Sequence, residues 1–80
     1  MKARIFVTLK DGVLDPQGQA IEGALGALGF DGVASVRQGK LFDIELADAR
    51  DAESRLNDMC AKLLANTVIE DFRVEVQDDA

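Results

Sequence analysis

The sequence predicts an α+β sandwich in the element order β-α-β-β-α-β, with two helices on one face of an antiparallel sheet and dimerisation through the sheet. Three observations lead there. The chain opens on a period-two strand, its second helix carries the clearest apolar period, and Gly, Asp and Pro turn signals separate two further strand-like runs. With 80 residues and 48% hydrophobic content it is one domain, 1–80. A core of that size supplies only about 3–5 kcal/mol, so self-association is a natural way to bury more surface.

In the first strand Ala3, Ile5, Val7 and Leu9 alternate with Lys2, Arg4, Thr8 and Lys10. Phe6 breaks the pattern on the polar side. A single exposed ring is usually incidental, but on the open face of a small sheet it marks a candidate contact. The stretch VTLKDGVLDPQG, Val7 to Gly18, then holds a strand end, a turn and a helix start. Asp11 and Gly12 form a turn whose glycine can take positive φ. Asp15 caps the helix, and Pro16 fits the first helical position because its missing N–H would have had no partner there. The plain reading of the stretch is a strand-to-helix connection, which leaves the apolar pair Val13 and Leu14 unexplained.

From Pro16 to Leu28 the residues Ile21, Ala24, Leu25 and Leu28 recur at helical spacing, a stripe expected to be buried, and Gly29 is a left-handed stop. Gly18, Gln19, Glu22, Gly23, Gly26 and Ala27 fall together on the other side. Interior glycines cost about 1 kcal/mol each against alanine. A surface so small and nearly uncharged suits close approach by another backbone, so Gly23 and Gly26 are candidate docking positions; tolerated drift is the bland alternative.

Phe30 is expected to return to the core, followed by a turn at Asp31 and Gly32. Val33 to Arg37 reads as a strand, Gln38 and Gly39 as a tight turn, and Lys40 to Leu46 as the partner strand. In the latter, Phe42, Ile44 and Leu46 point one way while Leu41, Asp43 and Glu45 point the other. Asp48 is the expected cap of the second helix, with Asp51 in its first turn. Ala52, Leu56, Met59, Cys60, Leu63 and Leu64 form its buried stripe, with Asp51–Arg55 and Asp58–Lys62 as acid-first pairs on the wet side. Asn66 suits a left-handed helix end. Val68 to Val76 is the last strand, with Phe72, Val74 and Val76 on one face, and Gln77 to Ala80 an acidic frayed tail. The order is ferredoxin-like. The open sheet face would carry Arg4, Phe6, Thr8, Asp43, Glu45, Arg73 and Glu75.

Composition narrows the function. The net charge of −6 argues against a phosphate backbone or an anionic membrane as partner. With no Trp, Tyr or His, an aromatic-stacking nucleic-acid reader has only four Phe to use. A lone cysteine builds no disulfide framework and no apolar run reaches signal or membrane length, so a cytoplasmic location is expected. Without histidine there is no Ser-His-Asp arrangement; no Gly-rich phosphate loop or Cys/His metal cluster is present, so no catalytic, cofactor-binding or metal residues are assigned. Cys60 lies on the buried stripe and reads as a small core residue rather than a nucleophile.

Three runs carry a resemblance: VTLKDGVLDPQG from Val7 to Gly18, LGFDGVASVRQGK from Leu28 to Lys40, and CAKLLANTVIEDF from Cys60 to Phe72. They are similar to the PurS family, the small subunit of phosphoribosylformylglycinamidine synthase. Thr67 departs from the family's usual proline at that place. The resemblance implies a PurS-like fold and a non-catalytic role in de novo purine biosynthesis, bridging a synthetase subunit (PurL) and a glutaminase subunit (PurQ). Ammonia from glutamine would pass between them to formylglycinamide ribonucleotide. ATP, magnesium and glutamine would be used by the assembled complex and none bound by this chain, which would associate as a dimer or tetramer.

On that reading Lys10, Gly12, Val13, Leu14, Asp15, Pro16, Gln17 and Gly18 form a docking loop, and Arg37, Gly39 and Lys40 a hairpin tip. Arg37 and Lys40 are candidates for ion pairs with a partner. Asn66, Val68, Ile69 and Glu70 serve the helix-to-strand connection and the dimer. The alternative is an ACT-type small-molecule-binding domain, which shares the element order; an acylphosphatase-like enzyme is disfavoured because its anion-binding loop is absent.

Overall fold

A computed structural model of the chain describes residues 1–77. Of the acidic tail expected at 77–80, Gln77 closes the last strand, and the rest lies outside the described residues. The strands are β1 (Lys2–Leu9), β2 (Gly39–Glu45) and β3 (Glu70–Gln77); the helices are α1 (Pro16–Ala27) and α2 (Ala52–Met59), the second continuing as a π-helical turn, Cys60–Leu64. The strands form one antiparallel sheet in the order β2-β1-β3.

The period-two pattern of β1 does what it should. Ala3, Ile5 and Val7 are buried on the inward face, where Ile5 stands opposite Phe42 and Val74, and Val7 opposite Lys40 and Phe72. Leu56 and Cys60 complete the fully buried set, with Ala65 packed beside them, and Ala52 is buried as well. On the outer face Arg4 pairs with Asp43 at 3.0 Å, and the Arg73 guanidinium lies 4.6 Å from the centre of the Phe6 ring. Phe6 thus has a partner within the sheet.

The α+β class and antiparallel sheet stand, with local corrections. Val33–Arg37 takes no regular structure and makes no ladder, so Gln38 and Gly39 are not a hairpin turn. Gly39 is instead the first residue of β2, opposite Thr8, where a Cβ would sit 2.7 Å from the Val7 carbonyl oxygen. Only α2 covers the sheet. The stripe expected to bury α1 is open: Leu28 is 74% exposed, Ile21 is exposed, and Phe30 does not return to the core.

The second helix begins three residues late. Asp48 accepts from the Arg50 amide at 2.9 Å and from the Arg55 guanidinium at 3.0 Å, which holds a turn rather than the helix end, so Arg55 pairs with Asp48 and not Asp51. Asp51 stands at the helix start with φ 49°, in the left-handed region. At the far end the Ala65 amide donates to the Cys60 carbonyl at 2.9 Å, an i→i+5 bond. The wider turn rotates the residues at its end: Leu63, expected inside, is 83% exposed, and Ala65 is buried in its place. Asn66 does not take a left-handed backbone either; its side chain accepts from the Val68 amide, and the Val68–Ile69 pair belongs to a turn before β3.

Candidate docking site

Residues scattered through the sequence meet at one end of the sheet, where β1 leaves and β2 and β3 begin. Gly12 takes φ +84°, as its turn requires. The Asp15 carboxylate then binds two segments at once: Oδ1 accepts from the Gly18 amide at 2.8 Å and Oδ2 from the Gln38 amide at 2.8 Å. These bonds, the Gln38 one foremost, together with the Arg37 charge, hold its carboxyl below the ordinary value despite some desolvation. Asp15 is therefore both the helix cap and the tie between outgoing and returning chain. Pro16 stands at the helix start as expected.

Gly18 is not on an outward face. It is buried, and a Cβ there would collide with the Val36 carbonyl oxygen, so only glycine lets the two segments approach so closely. Gln38 donates from its side chain to Gln17, and Arg37 donates to the Leu9 carbonyl at 2.8 Å and more weakly to that of Lys10. Lys40 lies 3.8 Å from Glu70, which also accepts from the Asn66 amide at 2.8 Å, and the Lys10 amide donates to the Ile69 carbonyl at 2.8 Å.

Lys10, Gly12–Gly18, Arg37, Gly39, Lys40 and Asn66–Glu70 thus form one end of the molecule. Within the chain Arg37 and Lys40 act as fasteners, and the Lys40 side chain stays 60% exposed. What this end leaves facing outward includes large apolar side chains among polar ones. Leu14 is 64% exposed at the loop tip, Val68 is 81% exposed and Ile69 is partly so. Gly23 and Gly26 lie apart along α1 with open space around them, and Phe6 lies on the outer sheet face. Sequence reasoning missed the exposure of Leu63: at α-helical spacing it falls in the middle of the apolar stripe, so the pattern carried no signal of the π turn.

This end offers no reactive group. Burial raises the Cys60 thiol, the opposite of what a nucleophile needs. Among the described residues no three His, Cys, Asp or Glu side chains gather to hold a metal, and no helix is long and apolar enough to cross a membrane. The fold and this end together define a small assembly subunit, a chain whose organised features are contacts.

The comparisons make that class particular. The family model for PurS, described as phosphoribosylformylglycinamidine (FGAM) synthase, matches residues 2–78, and the chain belongs to that family. The PurS subunit of Bacillus subtilis is 45% identical over 78 residues, covering 96% of this chain and 93% of that protein. The Mycobacterium leprae subunit is 52% identical over 73 residues, covering 91% of each. Among solved structures, B. subtilis PurS superposes with a TM-score of 0.88 over 96% of this chain and 98% of its own, at 45% identity. The structure of PurLQS from Thermotoga maritima matches with a TM-score of 0.78 at 30% identity, over 92% of this chain and 93% of that one. The ACT-type alternative finds no support among them.

Proposed function

We propose that the chain is the non-catalytic small subunit of phosphoribosylformylglycinamidine synthase in de novo purine biosynthesis, joining a synthetase subunit to a glutaminase subunit so that ammonia from glutamine reaches formylglycinamide ribonucleotide. One observation carries this reading: family membership over residues 2–78, on a chain whose organised end presents apolar contact surface and no reactive group. ATP, magnesium and glutamine are then used by the partners, in the cytoplasm, and the chemistry of amide transfer is theirs.

Leu14 and Val13 at the loop tip are the docking contacts, held in place by Asp15, Gly12 and the Gly18–Val36 contact. Leu14 makes the cleaner test because Lys40→Glu would set a carboxylate against Glu70 and disturb the chain's own fastening. In a complex reconstituted from the three subunits at limiting small subunit, Leu14→Asp is expected to lower glutamine-dependent activity at least tenfold while ammonia-dependent activity holds. Equal loss of both would remove the docking role.

A further inference from the structure

From Asp11 to Val36 the chain carries no lysine or arginine, while Asp11, Asp15, Glu22 and Asp31 all fall inside that stretch. Asp15 is bonded at the clamp. Asp11, Glu22 and Asp31 make no hydrogen bond and no ion pair among the described residues, whereas the strand carboxylates Asp43, Glu70, Asp71 and Glu75 each have a lysine or arginine within 4.0 Å. The docking loop and the helix behind it therefore form an acidic surface whose counter-charge the chain does not provide.

Glu22 stands on the wall of a groove of about 510 Å³, within the range of about 300–1,000 Å³ usual for ligand sites. The groove runs between the loop Gly12–Asp15, the first turns of α1 and the returning segment Ala34–Arg37. Val13 and Val36, both half-buried, and the exposed Leu14 give it an apolar lining. Gln19 and Glu22 are one helical turn apart and project into it from the same side of α1. Arg37, the only cation among the lining residues, donates to the Leu9 and Lys10 carbonyls and not to Glu22.

Docking at Leu14 covers this groove. Glu22 is already half-buried, and a carboxylate that loses its remaining water without a counter-charge is strongly disfavoured. An apolar side chain alone would strand that charge, and an acidic one would repel it. A lysine or arginine suits both parts of the lining: its methylene stem packs on Val13, Leu14 and Val36, and its charged head meets Glu22 with Gln19 beside it. A second copy of this chain is a poor source of that cation. Its net charge is −6, and its Arg4, Lys10, Lys40, Arg55 and Arg73 already pair with its own carboxylates.

We propose that the groove behind the docking loop receives a lysine or arginine side chain of a partner protein, with Glu22 as its counter-charge. The inference rests on the docking role of the loop and adds the chemistry of what docks there.

The test uses the three-subunit complex, assembled with glutamine and ATP, and reads the apparent dissociation constant of the small subunit by titration. Glu22→Gln keeps the shape and removes the charge, and is expected to weaken binding about three- to tenfold. Glu22→Lys should weaken it further, with sedimentation and circular dichroism of the isolated subunit as in wild type. Raising the ionic strength should weaken wild type more than Glu22→Gln, because the neutral variant has already lost the screened pair. Leu14→Asp, measured alongside, separates the two roles. If it weakens the complex while both Glu22 variants bind as well as wild type, the basic side chain is overturned and the docking role stands. If Leu14→Asp also binds like wild type, the docking role itself falls. A Glu22→Lys subunit whose own sedimentation changes would place a second copy in the groove and overturn the foreign partner.

Discussion

Asp15 binds the Gly18 and Gln38 amides with its two oxygens, and the charged form makes both bonds. Its folded-state pKa is depressed, so the stability it contributes is present above the ordinary carboxylate value near about 4 and is lost as pH falls through the lower folded value. The amide resonances of Gly18 and Gln38 are expected to titrate together with a midpoint below that of a free aspartate, and to lose the titration in Asp15→Asn. Two glycines of the same helix should behave oppositely. Gly23→Ala enters open space and is expected to stabilise by about 0.5–1 kcal/mol, the usual gain of alanine in a helix. Gly18→Ala meets the Val36 carbonyl and should lower the thermal midpoint instead. Melts of the two variants side by side check this.

Among the elements, α2 is where the helical period and the observed packing can be compared residue by residue. Leu56 is fully buried, so Leu56→Ala is expected to cost about 2–5 kcal/mol in denaturant unfolding. Leu63→Ala should stay within about 0.5 kcal/mol, because the π turn has carried that side chain outside. A continuous α-helix would have made both large. β1 was legible in full, since alternation alone fixes which face is buried, and the Asp15–Pro16 start was legible because both residues act locally. The α1 stripe was read correctly as apolar and wrongly as buried within the chain, because periodicity states that a face needs cover without stating which molecule provides it. Val33–Arg37 has a strand's composition and no ladder, since the clamp at Asp15 and Gly18 fixes its path. The π turn left no trace in the apolar period, because Leu63 falls inside the regular stripe.

At the scale of the whole molecule, the sheet with α2 is one body and α1 an arm joined to it at a single bonded end. That end gathers most of the candidate docking residues from three separated runs of sequence, although Gly39 opens β2 and Arg37 and Lys40 make bonds within the chain, so the three form no hairpin tip. The thiol of Cys60 reports on the body alone. It is expected to be unreactive toward a disulfide reagent in the folded protein and to react fully once the sheet unfolds, with the same midpoint as far-ultraviolet circular dichroism. A thiol that reacted before the sheet melted would mean that α2 leaves the sheet independently.

The carboxylate at the base of the arm has one more effect. Because it grips the Gly18 and Gln38 amides on either side of the segment 19–37, it turns that segment into a closed loop whose mouth is fixed regardless of what lies inside. Closure entropy grows only with the logarithm of loop length, each doubling costing about 0.6 kcal/mol. Insertions and deletions among related chains should therefore collect near the tip, around 28–33, where a turn more or less of helix alters reach and leaves every strand in register.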